Sequence, residues 1–281
     1  MDDSPTAVMF DEPRPAPLPP RPPDGHKGTF GRVACIGGST GMAGSIALTA
    51  QAALRSGSGL VGVQTPADVA ALVAGFDAAV MVRPCGDDLF AVETAVDAVA
   101  VGPGLSRTAG LRDPVRQLLR DLPQPTIADA DALFFLRTSE GRLSEHPRVL
   151  TPHPGEFARL TGQPLPMSSD ERRSQAEAAA RELGVVLVLK GQGTVVTDGE
   201  RTAIDAAGTN ALATGGSGDV LTGVVVSLLG QGLAAWDAAR WAVRVHALAG
   251  QTAADRLGAR SVTAGDLIAA LPAAWQAADA V

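Results

Sequence analysis

Tyrosine is absent from this chain, and aromatic residues of every kind make up only 4% of it. A core for 281 residues, 46% of them hydrophobic, must then be filled chiefly by alanine, glycine and valine. Cysteine is nearly as scarce. Cys35 lies inside an apolar, strand-like run and Cys85 stands apart from it, which excludes a disulfide framework and a cysteine-based metal centre. The four histidines, His26, His146, His153 and His246, are scattered without zinc spacing. Positive charge is in deficit too: a formal net charge of −7 argues against a nucleic acid or an anionic membrane as partner. It leaves open a phosphorylated small molecule, which a lysine and a helix N-terminus can hold locally. No apolar run reaches transmembrane length. The amino terminus begins with aspartates and prolines and lacks both the basic and the apolar region of a signal peptide, so a cytoplasmic location is expected.

Several catalytic signatures are missing as well. Gly37-Gly38-Ser39-Thr40-Gly41 puts Ser39 where a dinucleotide fingerprint needs its second glycine, and it lacks the Gly-Lys-Ser/Thr ending of a P-loop. No Gly-x-Ser-x-Gly elbow follows a strand, which removes support for serine hydrolysis.

What remains is a regular alternation. Residues 1–26 hold eight prolines by position 23 and read as a disordered or polyproline arm. From Arg32 onward, short β-branched runs predict strands over Arg32–Ile36, Leu60–Gln64, Val80–Arg83, Ala98–Val101, Thr126–Ala128, Val149–Thr151 and Val185–Leu189. Helices are expected over Gly44–Ser56, Leu111–Asp121, Asp170–Leu183, Val220–Leu229 and Asp237–Arg256. Val195–Thr197 and Arg201–Asp205, joined around Asp198-Gly199, read as a β-hairpin at one edge. The expected fold is α/β: a single doubly wound domain over 27–281 with a mostly parallel sheet flanked by helices. Ligands of such sheets bind beyond the carboxyl ends of the strands. Five polar or glycine-rich loops of this chain fall there, after Ile36, Val101, Ala128, Thr151 and Leu189.

The most informative run is Thr214-Gly215-Gly216-Ser217-Gly218-Asp219. Its glycines allow close backbone approach, and the first-turn N–H groups of the helix behind it attract an anion. An acid beside an anion site is unfavourable unless it has a task, and a general base for a hydroxyl attacking phosphorus is such a task. The competing reading is that Ser217 or Asp219 merely caps the helix. Lys190 poses a similar choice between an anion partner and a strand-end lysine reaching solvent. His153 is a ligand or part of a capped turn between two prolines. Glu156 reads locally as a helix cap. Asp129 and Asp131 orient a substrate or only start a helix over Ala132–Leu136, and they are left outside the core site.

Taken together, these segments resemble the ADP- or ATP-dependent NAD(P)H-hydrate dehydratases, a branch of the ribokinase-like superfamily. The matching residues are His26-Lys27-Gly28, Gly37-Gly38 with Gly44-Ser45, Ala52 to Gly57, Val101-Gly102-Pro103-Gly104-Leu105, Asp129 to Leu133, Leu150 to Glu156, Lys190 to Thr194 and Ala213 to Gly223. The glycine–aspartate run marks the superfamily; Thr151-Pro152-His153-Pro154-Gly155-Glu156 is the more specific element. Gly208-Thr209-Asn210-Ala211 departs from the Gly-Asn-Pro-Gly usual ahead of that run, so the turn leading into it is left open.

The resemblance implies that a nucleotide phosphorylates the hydroxyl of a hydrated nicotinamide cofactor (NADHX or NADPHX, S-epimer) and that phosphate elimination restores NAD(P)H. It implies Asp219 as catalytic base, with Ser45, Gly104, His153 and Asp219 around the hydrate. Lys190, Gly191, Gln192, Gly193, Thr194 and Gly218 would contact ADP or ATP, and Gly216, Ser217 and Gly218 would form the anion hole. Mg2+ is the implied cofactor, with no direct protein ligand and Glu156 acting indirectly. A homo-oligomer working beside a separate epimerase is expected. A vitamin-precursor kinase on the same fold and a non-catalytic nucleotide sensor are the competing functions.

Overall fold

The computed structural model of the chain describes residues 15–18 and 20–279. Nine strands form one sheet: β1 (Arg32–Ile36), β2 (Leu60–Pro66), β3 (Met81–Cys85), β4 (Ala98–Val101), β5 (Thr126–Ala128), β6 (Arg148–Leu150), β7 (Val186–Leu189), β8 (Thr194–Thr197) and β9 (Thr202–Asp205). Their order is β3-β2-β1-β4-β5-β6-β7-β8-β9. The first seven run parallel, while β8 and β9 continue antiparallel as the expected edge hairpin.

The short aliphatic strands have both faces covered, as parallel sheets require. Val33 and Cys35 of β1, Ala98 and Ala100 of β4, and Val186 and Val188 of β7 pack into one core. It also receives α1 (Ala43–Arg55), α2 (Ala67–Ala74), α6 (Ser217–Gly230), α7 (Ala235–Leu257) and α8 (Ala264–Asp279). The alternate residues Ala34, Ile36, Val99, Val101, Leu187 and Leu189 face a second core, with α3 (Arg112–Asp121), α4 (Pro154–Thr161) and α5 (Ser169–Leu183).

Chain order reverses between β1 and β4, which makes the space beyond their carboxyl ends the switch point of the sheet. The loops after these two strands cross there, Gly38 N–H donating to Pro103 O at 2.9 Å. α6 runs behind them, apolar nearly all round and buried over most of its length. It packs on α1 so closely that a Cβ at Gly223 would stand 2.2 Å from the backbone oxygen of Thr49. A helical glycine replaced by alanine gains about 1 kcal/mol of intrinsic propensity. Here the overlap is with backbone that cannot turn aside, and overpacking costs about 1–3 kcal/mol. Gly223→Ala is therefore expected to lower the melting temperature; an unchanged or higher value contradicts this account of the α1–α6 contact.

Part of the proline-rich arm lies outside the described residues. Its described end is held against α7: Ala16 N–H donates to Asp237 Oδ1 at 2.9 Å, and Trp241 Nε1–H donates to Ala16 O at 2.8 Å. None of the described helices is long and apolar enough to cross a membrane.

Candidate active site

The first turn of α6 has no side-chain cap. Gly216 occupies the N-cap position with φ of 85°, a left-handed conformation suited to glycine. This decides between the two sequence readings of the run, because neither Ser217 nor Asp219 closes the helix. Ser217 N–H turns back to Thr214 O at 3.3 Å, a long bond, and the neighbouring N–H groups of Gly216 and Gly218, with the positive end of the helix dipole, remain for an anion. Ser217 instead meets His246 of α7, and Asp219 accepts a hydrogen bond from Ser45 of α1. Burial, reinforced by the negative charge of Asp129, pushes the Asp219 carboxyl up to about 7, while the Ser45 bond and the Lys190 charge pull the other way. A carboxylate with a pKa near neutrality is suited to accept a proton at physiological pH.

Lys190 leaves the end of β7 with its N–H bonded to Pro152 O at 2.9 Å. Its side chain turns inward instead of reaching for solvent. Nζ donates to Asp129 Oδ1 at 2.9 Å and lies 3.8 Å from Glu156 Oε2. It also lies 3.3 Å from where a Cβ at Gly218 would stand, so the ammonium sits under the first turn of α6. Burial disfavours that charge, but the Asp129 and Glu156 carboxylates outweigh it and hold the lysine pKa above its ordinary value. Burial raises the Glu156 carboxyl, partly offset by Lys190.

Asp129 is the residue that the sequence reasoning left at the margin. It is 1% exposed and stands at the N-cap position of the 3-10 turn that follows, yet its side chain makes no capping bond there and anchors the site's floor. Oδ1 accepts from Lys190 and Oδ2 from Thr222 Oγ1 of α6 at 2.8 Å, so one carboxylate ties the loop after β5 to β7 and to α6. The available signal was its place: an Asp-Ala-Asp directly after a strand whose carboxyl end faces the crevice. Asp131 braces the neighbouring loop, accepting from Ser106 N–H at 2.9 Å and from Arg107 Nε at 2.7 Å. Ser106 is held at φ of 82°, so the carboxylate supports a backbone conformation that serine seldom adopts. The short helix expected over Ala132–Leu136 is a 3-10 turn at Ala130–Phe135.

His153 and Glu156 form a reciprocal cap at the start of α4. His153 Nδ1 accepts from Gly155 N–H at 3.0 Å, and Glu156 Oε2 accepts from His153 N–H at 2.8 Å. Both capping readings are therefore realised, and they leave His153 Nε2 on a half-exposed ring at the rim. The segment 208–212, which departs from the family pattern, forms a 3-10 turn over Asn210–Leu212 with Thr209 Oγ1 accepting from Ala211 N–H.

These parts border one cleft of about 810 Å3. Its walls carry His153, Glu156, Lys190, Gly191, Gln192, Thr194, Gly216, Ser217, Gly218 and Asp219, together with Asp129. Leu212, Leu221, Val243 and Ala247 supply an apolar wall. Gly193, at φ of 68°, makes the turn into β8 and is not on the wall. Ser45 and Gly104 lie beside the cleft on the switch-point side. A Cβ at Gly104 would stand 3.1 Å from Ser45 Cβ, and Ser45 reaches Asp219. Asp219 thus stands where the cleft floored by Lys190 meets Ser45, which packs beside Gly104.

Comparison with known proteins identifies the family of the chain. The family described as NAD(P)H-hydrate dehydratase matches residues 33–273. The bifunctional NAD(P)H-hydrate repair enzyme Nnr of Moorella thermoacetica is 42% identical over 271 residues, covering 91% of this chain and 51% of that protein. The chain thus spans about half the length of the bifunctional relatives it matches. The ADP-dependent (S)-NAD(P)H-hydrate dehydratase of Bacillus subtilis is 35% identical over 93% of this chain and 95% of its own length. A crystal structure of the ADP/ATP-dependent NAD(P)H-hydrate dehydratase from Bacillus subtilis, co-crystallised with ATP/Mg2+, superposes with a TM-score of 0.84. That match has 33% identity and covers 92% of this chain and 94% of the other. A ribokinase-like superfamily protein from Enterococcus faecalis gives a TM-score of 0.78 at 27% identity, covering 93% of each chain. The mostly parallel, doubly wound fold expected from the sequence is thus a ribokinase-like one, and the chain belongs to the NAD(P)H-hydrate dehydratase family.

Proposed function

We propose that this chain is an ADP- or ATP-consuming (S)-NAD(P)H-hydrate dehydratase acting in the cytoplasm. The observation that carries the reading is Asp219: a half-buried acid with its pKa near neutrality, at the uncapped start of α6, between an apolar-walled cleft and the crossing of the Gly37–Gly38 and Gly102–Gly104 loops. The nucleotide lies in the cleft against Lys190–Thr194 and Gly218. The hydrated ring lies against Ser45, Gly104, His153 and Asp219.

The reaction then runs in two stages. The ring hydroxyl oxygen attacks the terminal phosphorus while Asp219 takes its proton, and the bond from phosphorus to the bridging oxygen breaks toward the nucleotide. The N–H groups of Gly216, Ser217 and Gly218 hold the transferring group, and Lys190 supports it from below. Hydroxide is a poor leaving group and phosphate a good one. In the second stage the C–O bond breaks with its electron pair going to phosphate. The ring nitrogen supplies electrons, and the proton of the adjacent carbon passes to the departing phosphate, which completes the dihydronicotinamide.

Mg2+ is the metal this chemistry uses, and its effect is to neutralise phosphate charge. Among the described residues no group of three or more His, Cys, Asp or Glu is placed to hold a metal ion. Both Asp129 oxygens are engaged, and Glu156 serves the α4 cap and Lys190. That donor set fits an ion bound through nucleotide phosphates and water, with Glu156 at one remove. A homo-oligomer and a separate epimerase partner belong to the same proposal. The fate of phosphate tests the proposal against a kinase: the dehydratase releases inorganic phosphate equimolar with NADH or NADPH. A stable phosphorylated product with a vitamin-type alcohol, and no phosphate release with NADHX, would decide for the kinase.

A further inference from the structure

His246 belongs to none of the groups of residues assigned above. It projects from α7, is buried, and directs its ring at the first residue of α6. Nε2 lies 3.1 Å from Ser217 Oγ and 3.0 Å from Ser217 O. A carbonyl oxygen can only accept, so Nε2 must carry the ring hydrogen; the other tautomer would set two lone pairs against each other at that distance. Shared between the two oxygens, this hydrogen makes the Ser217 hydroxyl an acceptor. The hydroxyl's own hydrogen then has no acceptor among the described residues, and Ser217 lines the cleft beside Gly218 and Asp219.

We propose that His246 is a positioning residue that fixes the Ser217 hydroxyl as a donor to the transferring phosphoryl group. The inference rests on the reading of the α6 N-terminus as the phosphoryl site, and it adds a side-chain donor to the backbone N–H groups there. The ring also secures the first turn, because its second contact is the Ser217 carbonyl. Burial, with the nearby Lys190 charge, holds the imidazole pKa down to about 4, although its bond to the Ser217 carbonyl favours the charged form. The ring is therefore neutral, with the same hydrogen in place, throughout the range in which Asp219 is ionised.

The test is a cycle of variants assayed with NADHX and ATP. His246→Phe keeps a ring of similar size and removes the donor; His246→Gln returns an N–H near the position of Nε2. His246→Phe is expected to lower kcat on the order of 100-fold, the scale of losing an oxyanion-type donor, with a smaller change in KM for ATP. His246→Gln is expected to recover most of that loss. Adding Ser217→Ala to His246→Phe is expected to cost nothing further, because the two act as one unit. Wild-type kcat in His246→Phe, or losses that multiply in the double variant, overturn the proposal. If His246→Phe melts early, the same cycle is read with His246→Asn, which is too short to reach Ser217. A wild type inert toward NADHX defeats the dehydratase reading alone. The cycle is then read on the dissociation constant for ATP: a loss shared between the variants supports the role of His246, while additive losses or none overturn it.

Discussion

Asp219→Asn is expected to bind ADP or ATP with near-parental affinity and to lose about 10^2- to 10^4-fold in kcat, the range attributable to a general base. The amide keeps the size and the Ser45 contact but cannot take the hydroxyl proton. Two pH measurements accompany this. In the parent, kcat/KM is expected to rise with pH through about 7, because that is where the half-buried carboxyl of the free enzyme ionises. Stability moves the other way. A carboxyl whose folded pKa lies above its unfolded value contributes most below the unfolded pKa. That contribution is lost as pH rises through the folded value, here about 7. Asparagine carries no such penalty, so the variant is expected to melt above the parent at pH well over 7 and to approach it in acid. An Asn variant that turns over normally would remove Asp219 from the role of base. A variant that loses activity together with nucleotide binding and folding would show a structural part instead.

The second large effect belongs to Asp129. Asp129→Ala removes the partner of an ammonium held mostly in the interior and leaves Thr222 Oγ1 without its acceptor. Breaking a buried pair from one side costs about 3–5 kcal/mol, because an uncompensated charge stays behind. Glu156, 3.8 Å from the same ammonium, places the expected loss toward the lower end. Asp129→Ala combined with Lys190→Met is expected to recover much of the stability without recovering activity, since the charge beneath the anion hole is gone as well. Denaturant unfolding of the parent, both single variants and the double variant measures the coupling. Simple additivity would show that the Lys190–Asp129 pair does not organise the floor of the site.

The sheet was legible because its strands are short, aliphatic and bounded by glycine or polar loops. β1, β4 and β5 fall where the pattern places them, and β2, β3, β6 and β7 differ only at their ends. Three helices were not legible, each for a local reason. α2 follows directly on Pro66, the last residue of β2, with no loop between strand and helix to mark its start. α4 is hidden behind Pro152-His153-Pro154, whose turn chemistry masks a helix that starts with proline at its first position. α8 contains Pro272, which argues against a helix on sequence grounds, yet Thr263 and Asp266 form its N-terminal cap. In the site, the residues drawn from motifs come together around Asp219 and Lys190, except Gly193, which only turns the chain into β8. Asp129 and His246 act through buried contacts with partners that the fold supplies from distant strands and helices, and no spacing in the chain reveals such contacts.

The central claim is that phosphorylation at the α6 N-terminus serves to expel water from a hydrated nicotinamide. Incubation of the purified chain with (S)-NADHX, Mg2+ and ADP or ATP tests it directly through the near-ultraviolet absorbance of the dihydronicotinamide. The account predicts that this absorbance returns only when nucleotide is present, in step with released phosphate, and that Asp219→Asn abolishes it. Recovery without nucleotide, or none with either nucleotide, would contradict it.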